Sequence, residues 1–131
     1  MGGELIADIL HAAPWTAHGA HRFVLQPMTC ADRLRRYLAE NGFSIVREAL
    51  AQEGRHLYTV MEVFAGEGND TGKENYWLFT DKLTRDPLFP QFAAQQKYML
   101  EKAAAGKRTA NLSTAHEDAV LRRLEECLHC A

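Results

Sequence analysis

Apolar and polar positions recur with different periods along the chain, and the changes of period mark its elements. Leu5, Ile6, Ile9 and Leu10 fall at helical spacing and predict a short helix over 2–13, stopped by Pro14. Phe23-Val24-Leu25-Gln26 is apolar on both faces, which predicts a strand buried between two layers. Pro27 has no N–H to continue a ladder and closes that strand. Helical spacing returns over 29–41: Ala31, Leu34, Tyr37 and Leu38 form the buried stripe, and Arg33, Arg35 and Arg36 fall mostly off it. Thr29 and Asp32 stand at capping-box spacing at its start, and Gly42 supplies a left-handed stop.

Two more strands are predicted, at 43–50 and 56–64, joined by Gln52-Glu53-Gly54-Arg55. In the first, Ser44, Arg47 and Glu48 interrupt the apolar pattern, which suits a sheet edge. In the second, only Thr59 and Glu62 are polar, which suits the middle. A helix between the first two strands implies a parallel, right-handed crossover, and Gly54 implies a hairpin. The predicted order is therefore 22–27, 56–64, 43–50: a mixed sheet whose last strand is antiparallel and inserted. One edge of strand 22–27 is left without a neighbour, and the opening helix has no strand before it. A half-sheet is expected, completed along the 22–27 edge by a missing N-terminal half or by self-association.

The stretch AGEGNDTGKEN is polar and glycine-rich and reads as a solvated linker over 66–75. Its spacing fits no phosphate-binding pattern, and its acids would repel phosphate. Asp86-Pro87 predicts an N-cap followed by proline at the first helical position. Phe89, Phe92, Gln96, Met99 and Ala103 then form a stripe that runs to Gly106. Ser113 or Thr114 caps a last helix striped by Val120, Leu121, Leu124 and Leu128, with Glu117 at capping-box spacing from Thr114. The predicted domains are a sheet-and-helix core over 1–65, a linker over 66–75 and a helical hairpin over 76–131.

Composition narrows the function classes. With 131 residues, 47% hydrophobic content and a formal net charge of −2, the chain is globular, and nucleic-acid contact would need a local basic face. No apolar run is long enough to span a bilayer, and the opening residues do not form a signal peptide. Three cysteines cannot all pair internally, which points to a reducing cytoplasm. Cys127-Leu128-His129-Cys130 lacks the complementary ligands of a metal site, so no metal is expected.

Several phrases carry a family resemblance. These are Met1-Gly2-Gly3-Glu4-Leu5-Ile6-Ala7-Asp8-Ile9-Leu10, Phe23-Val24-Leu25-Gln26-Pro27, Leu34-Arg35-Arg36-Tyr37-Leu38 and Tyr58-Thr59-Val60-Met61-Glu62-Val63. Together they resemble the C-terminal portion of the bacterial tRNA (adenine-N1)-methyltransferases, the TrmK-like enzymes. The resemblance implies the C-terminal half of a Rossmann-like class I methyltransferase sheet followed by an α-helical hairpin. It implies S-adenosyl-L-methionine (SAM) as cofactor of the intact enzyme, and tRNA, modified at an adenine of its D-arm region, as partner. Met1-Gly2-Gly3 matches the end of the family's G-M-G-G segment, and Leu25-Gln26-Pro27-Met28 its L-Q-P-N, with methionine where the family has asparagine. Gly2, Gly3, Gln26 and Pro27 are the implied neighbours of cofactor or adenine. The family's cofactor loop and acidic residue, carried by its first two strands, have no counterpart in these residues. The resemblance therefore implies a chain that is inactive alone.

Arg33, Arg35, Arg36, Lys97, Lys102, Lys107 and Arg108 are the candidate contacts to tRNA phosphates. No histidine is needed as a base, because adenine N1 already presents a neutral lone pair. A non-catalytic module that binds RNA or a partner helix through the hairpin is the alternative reading.

Overall fold

The computed structural model describes residues 2–17, 21–66 and 77–130. Helix α1 (Gly3–Ala12) and a 3-10 turn lead to strand β1 (Arg22–Leu25), helix α2 (Ala31–Glu40) and strands β2 (Phe43–Glu53) and β3 (His56–Ala65). A 3-10 turn (Leu83–Arg85) and helices α3 (Phe89–Thr109) and α4 (Ala115–Cys130) follow. The chain divides into two compact units, Met1–Asp86 and Pro87–Ala131. The linker expected over 66–75 lies outside the described residues from Glu67 onward.

The strands stand in the order β1-β3-β2, the order that their polarity predicts. Both ladders are antiparallel. The sheet is therefore not mixed as expected: β1 and β2 do run parallel to each other, but β3 lies between them, so no described pair is parallel. Glu53 pairs with His56, leaving Gly54-Arg55 as a two-residue turn, with Gly54 at φ +60°. Extending the pairing up to that turn lengthens β2 by three residues over the predicted strand.

One face of the sheet holds the core. Ile6 and Leu10 of α1 and Leu34 and Leu38 of α2 pack with Phe43 and Ile45 of β2 and Met61 and Val63 of β3. Burying each of the larger side chains is worth about 1.5–3 kcal/mol. The stripe predicted for α1 splits, because Leu5 and Ile9 are 52% and 48% exposed while Ile6 and Leu10 are buried.

A β-bulge explains the polar residues of β2. Ile45 pairs with Val63 and Arg47 with Glu62, so Val46 is an extra residue without an opposite number. An uninterrupted two-residue period would carry Arg47 to the helix side of the sheet with Phe43 and Ile45. The extra residue reverses the alternation, so Glu48 pairs with Met61 and Leu50 with Thr59 on the helix side, and Arg47 faces away. There Glu48 accepts two hydrogen bonds from Arg35 of α2, NH1 to Oε2 at 3.2 Å and NH2 to Oε1 at 2.5 Å. Both side chains are 0% exposed. Glu48 Oε2 also accepts the Thr80 backbone N–H at 2.8 Å.

That last bond belongs to a cover on the outer side of β2. Phe79, Thr80 and Leu83 are buried, and the Asp86 carboxylate accepts the Leu50 backbone N–H at 3.0 Å. Asp86, the predicted N-cap of α3, thus serves a strand, and the N-cap position itself falls on Leu88. These bonds assign residues 77–86 to the sheet unit. α3 opens at Phe89 with Leu88 as N-cap and Pro90 in its first turn.

In the second unit, Phe89, Phe92, Ala93 and Ala104 are the buried residues of α3, and Met99 is 62% exposed. The predicted stripe leaves the buried face at Met99, because Leu100 and Ala104 are covered in place of Met99 and Ala103; nor does the helix stop at Gly106. It runs to Thr109, and Asn111 supplies the left-handed residue at φ +57°. The N–H groups of Asn111 and Leu112 then return to the carbonyls of Arg108 and Lys107, which closes the helix end. Lys107–Glu117, Arg108–Asp118 and Lys97–Glu125 pair α3 with α4. Glu117 is thus taken by a lysine and does not complete the expected capping box; the Thr114 hydroxyl donates to Asp118 at 2.9 Å.

Removing one partner of a buried ion pair strands the other charge. Arg35→Met is expected to cost about 3–5 kcal/mol in urea unfolding. Adding Glu48→Leu should recover part of that loss but not all, because the Thr80 N–H then loses its acceptor.

Candidate functional site

The loop 26–30 leaves the carboxyl end of β1 and meets the start of both helices. Gly3, the first residue of α1, donates its backbone N–H to the Thr29 carbonyl at 2.6 Å. A Cβ on Gly3 would stand 2.2 Å from the Cys30 carbonyl oxygen and 2.9 Å from that of Thr29. A Cβ on Gly2 would stand 2.7 Å from the Thr29 hydroxyl oxygen. The two glycines are therefore required where helix and loop backbones touch, and this contact sets the position of α1.

Thr29 does not cap α2. The N-cap is Cys30, in the left-handed region at φ +53°, and its side chain makes no capping bond. The capping-box spacing was misleading because the Thr29 carbonyl is used by α1, so α2 starts two residues later than predicted. Glu4 of α1 and Arg33 of α2 form an ion pair across the two helix starts. Gln26 is exposed just past β1, Pro27 is buried and Met28 is 43% exposed. Exposed amide and hydroxyl groups lie here beside two helix N-termini, at the carboxyl end of a strand. Sites for polar small molecules form in such places in α/β proteins.

The seven predicted RNA contacts divide between the two units, three on α2 and four on α3. Arg35 is corrected outright: its guanidinium is buried on Glu48 and is unavailable to a phosphate. It looked exposed because an arginine off the apolar stripe normally faces water. Arg33 is exposed but paired with Glu4, and the Arg36 guanidinium lies 5.7 Å over the Trp77 ring. Lys97, Lys107 and Arg108 are drawn toward α4 by its acids. Lys102 is exposed on α3 and has no acidic partner among the described residues. Cys127 is half-buried on α4, and the side chains of His129 and Cys130 lie outside the described residues.

One cluster escaped the sequence reading. On the sheet face away from the helices, Glu62 of β3 accepts from Arg22 of β1 at 3.1 Å and from Arg47 of β2 at 2.7 Å. Hydrogen bonds from Arg47 and then Arg22 hold the Glu62 carboxyl below its usual range. The three residues are far apart in sequence, and the bulge at Val46 hides which side Arg47 faces.

Comparison with known proteins places this geometry. A protein of Streptococcus agalactiae in the NADB-Rossmann superfamily superimposes with a TM-score of 0.69 and 27% identity, over 98% of this chain and 56% of its own. A Streptococcus pneumoniae protein to which tRNA (m1A22) methyltransferase activity is ascribed superimposes with a TM-score of 0.76 and 27% identity. That match covers 98% of this chain and 59% of the pneumococcal one. The same pneumococcal protein is also known in complex with S-adenosyl-L-methionine. The tRNA (adenine(22)-N(1))-methyltransferase of Bacillus subtilis strain 168 is 34% identical over 67 residues, 51% of this chain and 28% of its own length. By its fold, the chain is a Rossmann-like α/β protein with a small antiparallel sheet. The family model "TrmK: tRNA (adenine(22)-N(1))-methyltransferase" matches residues 1–129, and the chain belongs to that family. It spans between half and two-thirds of the length of these solved relatives.

Two glycines in helices make a paired test. Gly3→Ala forces apart two backbones and should destabilise by about 1–3 kcal/mol. Gly106→Ala, in a helix with open space around it, should stabilise by up to about 1 kcal/mol. Thermal unfolding of both variants reads the difference. Glu62 gives a further prediction: with its folded pKa depressed, its stabilising contribution is present above the unfolded pKa and is lost as pH falls through the folded one. In NMR titration its midpoint should lie below the ordinary range of a glutamate carboxyl, and Arg47→Ala should raise it more than Arg22→Ala does.

Proposed function

We propose that this chain is the C-terminal part of a SAM-dependent methyltransferase that modifies N1 of adenine 22 in tRNA. The observation that carries the reading is the match of the family model to residues 1–129, nearly the whole chain. The sheet unit holds the loop 26–30 at a strand's carboxyl end, which supports a role beside the substrate adenine. Gly2 and Gly3 set α1 against this loop, Gln26 forms its exposed rim, and the neighbouring Pro27 is buried. The fit to a cofactor is that of a border: an exposed amide, a hydroxyl and two helix starts suit the edge of a purine, and no cradle encloses it.

When bound, SAM supplies an electrophilic methyl on a sulfonium. In the transfer, the adenine N1 lone pair forms the new N–C bond as the S–C bond breaks, S-adenosylhomocysteine leaves and the ring takes the positive charge. No proton has to be removed first, so the protein's work is alignment and exclusion of water. The residues around Gln26 hold the ring, and a second half of the enzyme holds the methyl donor, so the 131-residue chain alone is inactive. Arg33, Arg36, Lys97, Lys102, Lys107 and Arg108 are the proposed phosphate contacts, and the reaction takes place in the cytoplasm. No helix among the described residues is long and apolar enough to cross a membrane.

Calorimetric titration with SAM tests the division of the site. The chain alone should give no tight binding, and the chain joined to its complementary half should bind SAM and methylate tRNA only when adenine occupies position 22. Tight binding by the chain alone overturns the divided site. RNA binding without methyl transfer by the joined protein overturns the enzyme in favour of a non-catalytic module. Lys102→Glu should weaken tRNA binding and lower the salt slope by about one.

A further inference from the structure

The sheet face away from the helices carries a cluster to which methyl transfer gives no part. Burial alternates along β3: Thr59, Met61 and Val63 are buried on the helix side, while Tyr58, Val60 and Glu62 face the other way and are half-buried. Register sets their neighbours on that face. Glu62 stands between Val24 of β1 and Arg47 of β2, Val60 stands beside Ala49, and Tyr58 beside Ala51. Val24, Arg47 and Ala49 are exposed, so among the described residues no layer covers this face.

Two chemistries lie side by side on it. The first is a charged row across all three strands. Arg22 Nη1 donates to Glu62 Oε1 at 3.1 Å, and Arg47 brings Nε and Nη2 to Oε2, each at 2.7 Å. The Glu62 side chain is 19% exposed, against 62% for Arg22 and 78% for Arg47. The carboxylate is therefore the floor of the row and the guanidiniums are its rim. One carboxylate offsets one of two positive charges and cannot use every N–H of two guanidiniums, so oriented donors remain for an anion. The second chemistry is aromatic. The His56 and Tyr58 rings stack on the same face of β3, 6.1 Å between centroids and 24° from parallel. Tyr58 and Glu62 are about 14 Å apart along the strand. The apolar side chains of Val60, Ala49 and Ala51 lie between them.

This pairing of chemistries selects the occupant. Protein interfaces are depleted of charge at their core, and here charge crosses every strand. A duplex keeps its base faces stacked inside and offers the rings nothing. A single strand offers a phosphate to the arginines and an unstacked base to the rings, and open sheets with aromatics on a central strand hold unpaired bases in this way. We infer that this face of the sheet binds a single-stranded RNA segment, with Arg22 and Arg47 on a phosphate and Tyr58, backed by His56, under a base. Glu62 is a positioning residue that holds both guanidiniums in place before the RNA arrives. Glu53, opposite His56 at the hairpin end, repels phosphate and limits the track to the stretch between Arg47 and Tyr58. The surface is separate from the phosphate contacts proposed on the helices. The choice of RNA rests on the proposed tRNA substrate, while the phosphate-and-base chemistry is the face's own.

Fluorescence anisotropy of the full chain tests this with a short labelled oligoadenylate and with the same strand annealed to oligouridylate. The single strand should bind, and the duplex should bind about tenfold more weakly. Arg22→Ala and Arg47→Ala should each reduce the salt slope by about 0.7. Arg122→Ala, the same loss of charge from an exposed position on α4, should leave the slope unchanged. Tyr58→Leu, shown to be folded by circular dichroism, should weaken binding about tenfold with the slope unchanged. No binding at low salt, equal binding of the duplex, an unchanged slope in both arginine variants or full affinity in Tyr58→Leu overturns the inference. So does a concentration-dependent dimer in light scattering with hydrogen exchange slowed at residues 58–62, because a second copy then covers the face. RNA binding at this face without methyl transfer by the joined protein defeats the enzyme reading and upholds this one.

Discussion

The carboxylate of Glu48 is the single group on which the sheet unit depends. It holds the guanidinium of α2, sits on β2 and accepts a backbone N–H from the segment that returns across the outside of the sheet. A charge taken out of water costs several kcal/mol unless its partners are well placed, and here the bidentate arginine and the amide are its partners. The interaction therefore selects one arrangement of helix, strand and cover out of many compact ones. A bulge of one residue makes it possible, because if Val46 took an ordinary place in the ladder the alternation of β2 would send Glu48 away from Arg35.

The same economy of close contact shapes the loop after β1. Gly3 is pressed against the backbone of Thr29 and Cys30, so α1 is placed by a hydrogen bond and a steric fit, not by a side-chain cap. The residues that resemble family cofactor neighbours thus have a structural duty in this chain. The role proposed for the loop builds on that duty: a rim of exposed amide and hydroxyl is useful only if the backbone behind it does not move.

The sheet is closed where β2 faces outward, and among the described residues no strand follows beyond β1. Closure is made with three buried residues, Phe79, Thr80 and Leu83, and two hydrogen bonds from a backbone N–H to a carboxylate.

Polarity and spacing in the sequence were enough for the strand order, the hairpin at Gly54, the stop at Gly42 and the helical pair. Each of these rests on a local rule: the period of apolar residues, or a glycine where φ is positive. Residues that act at a distance were not legible. Arg35 read as a surface cation, Asp86 as a helix cap and Thr29 as another, since each has the local neighbours that such roles require. Their real partners, Glu48, the Leu50 amide and Gly3, lie between 13 and 36 residues away and are chosen by packing. Only the tertiary structure decides such pairings, because a one-residue bulge or a two-residue shift of a helix start changes which side chains meet while leaving the pattern of apolar positions almost untouched.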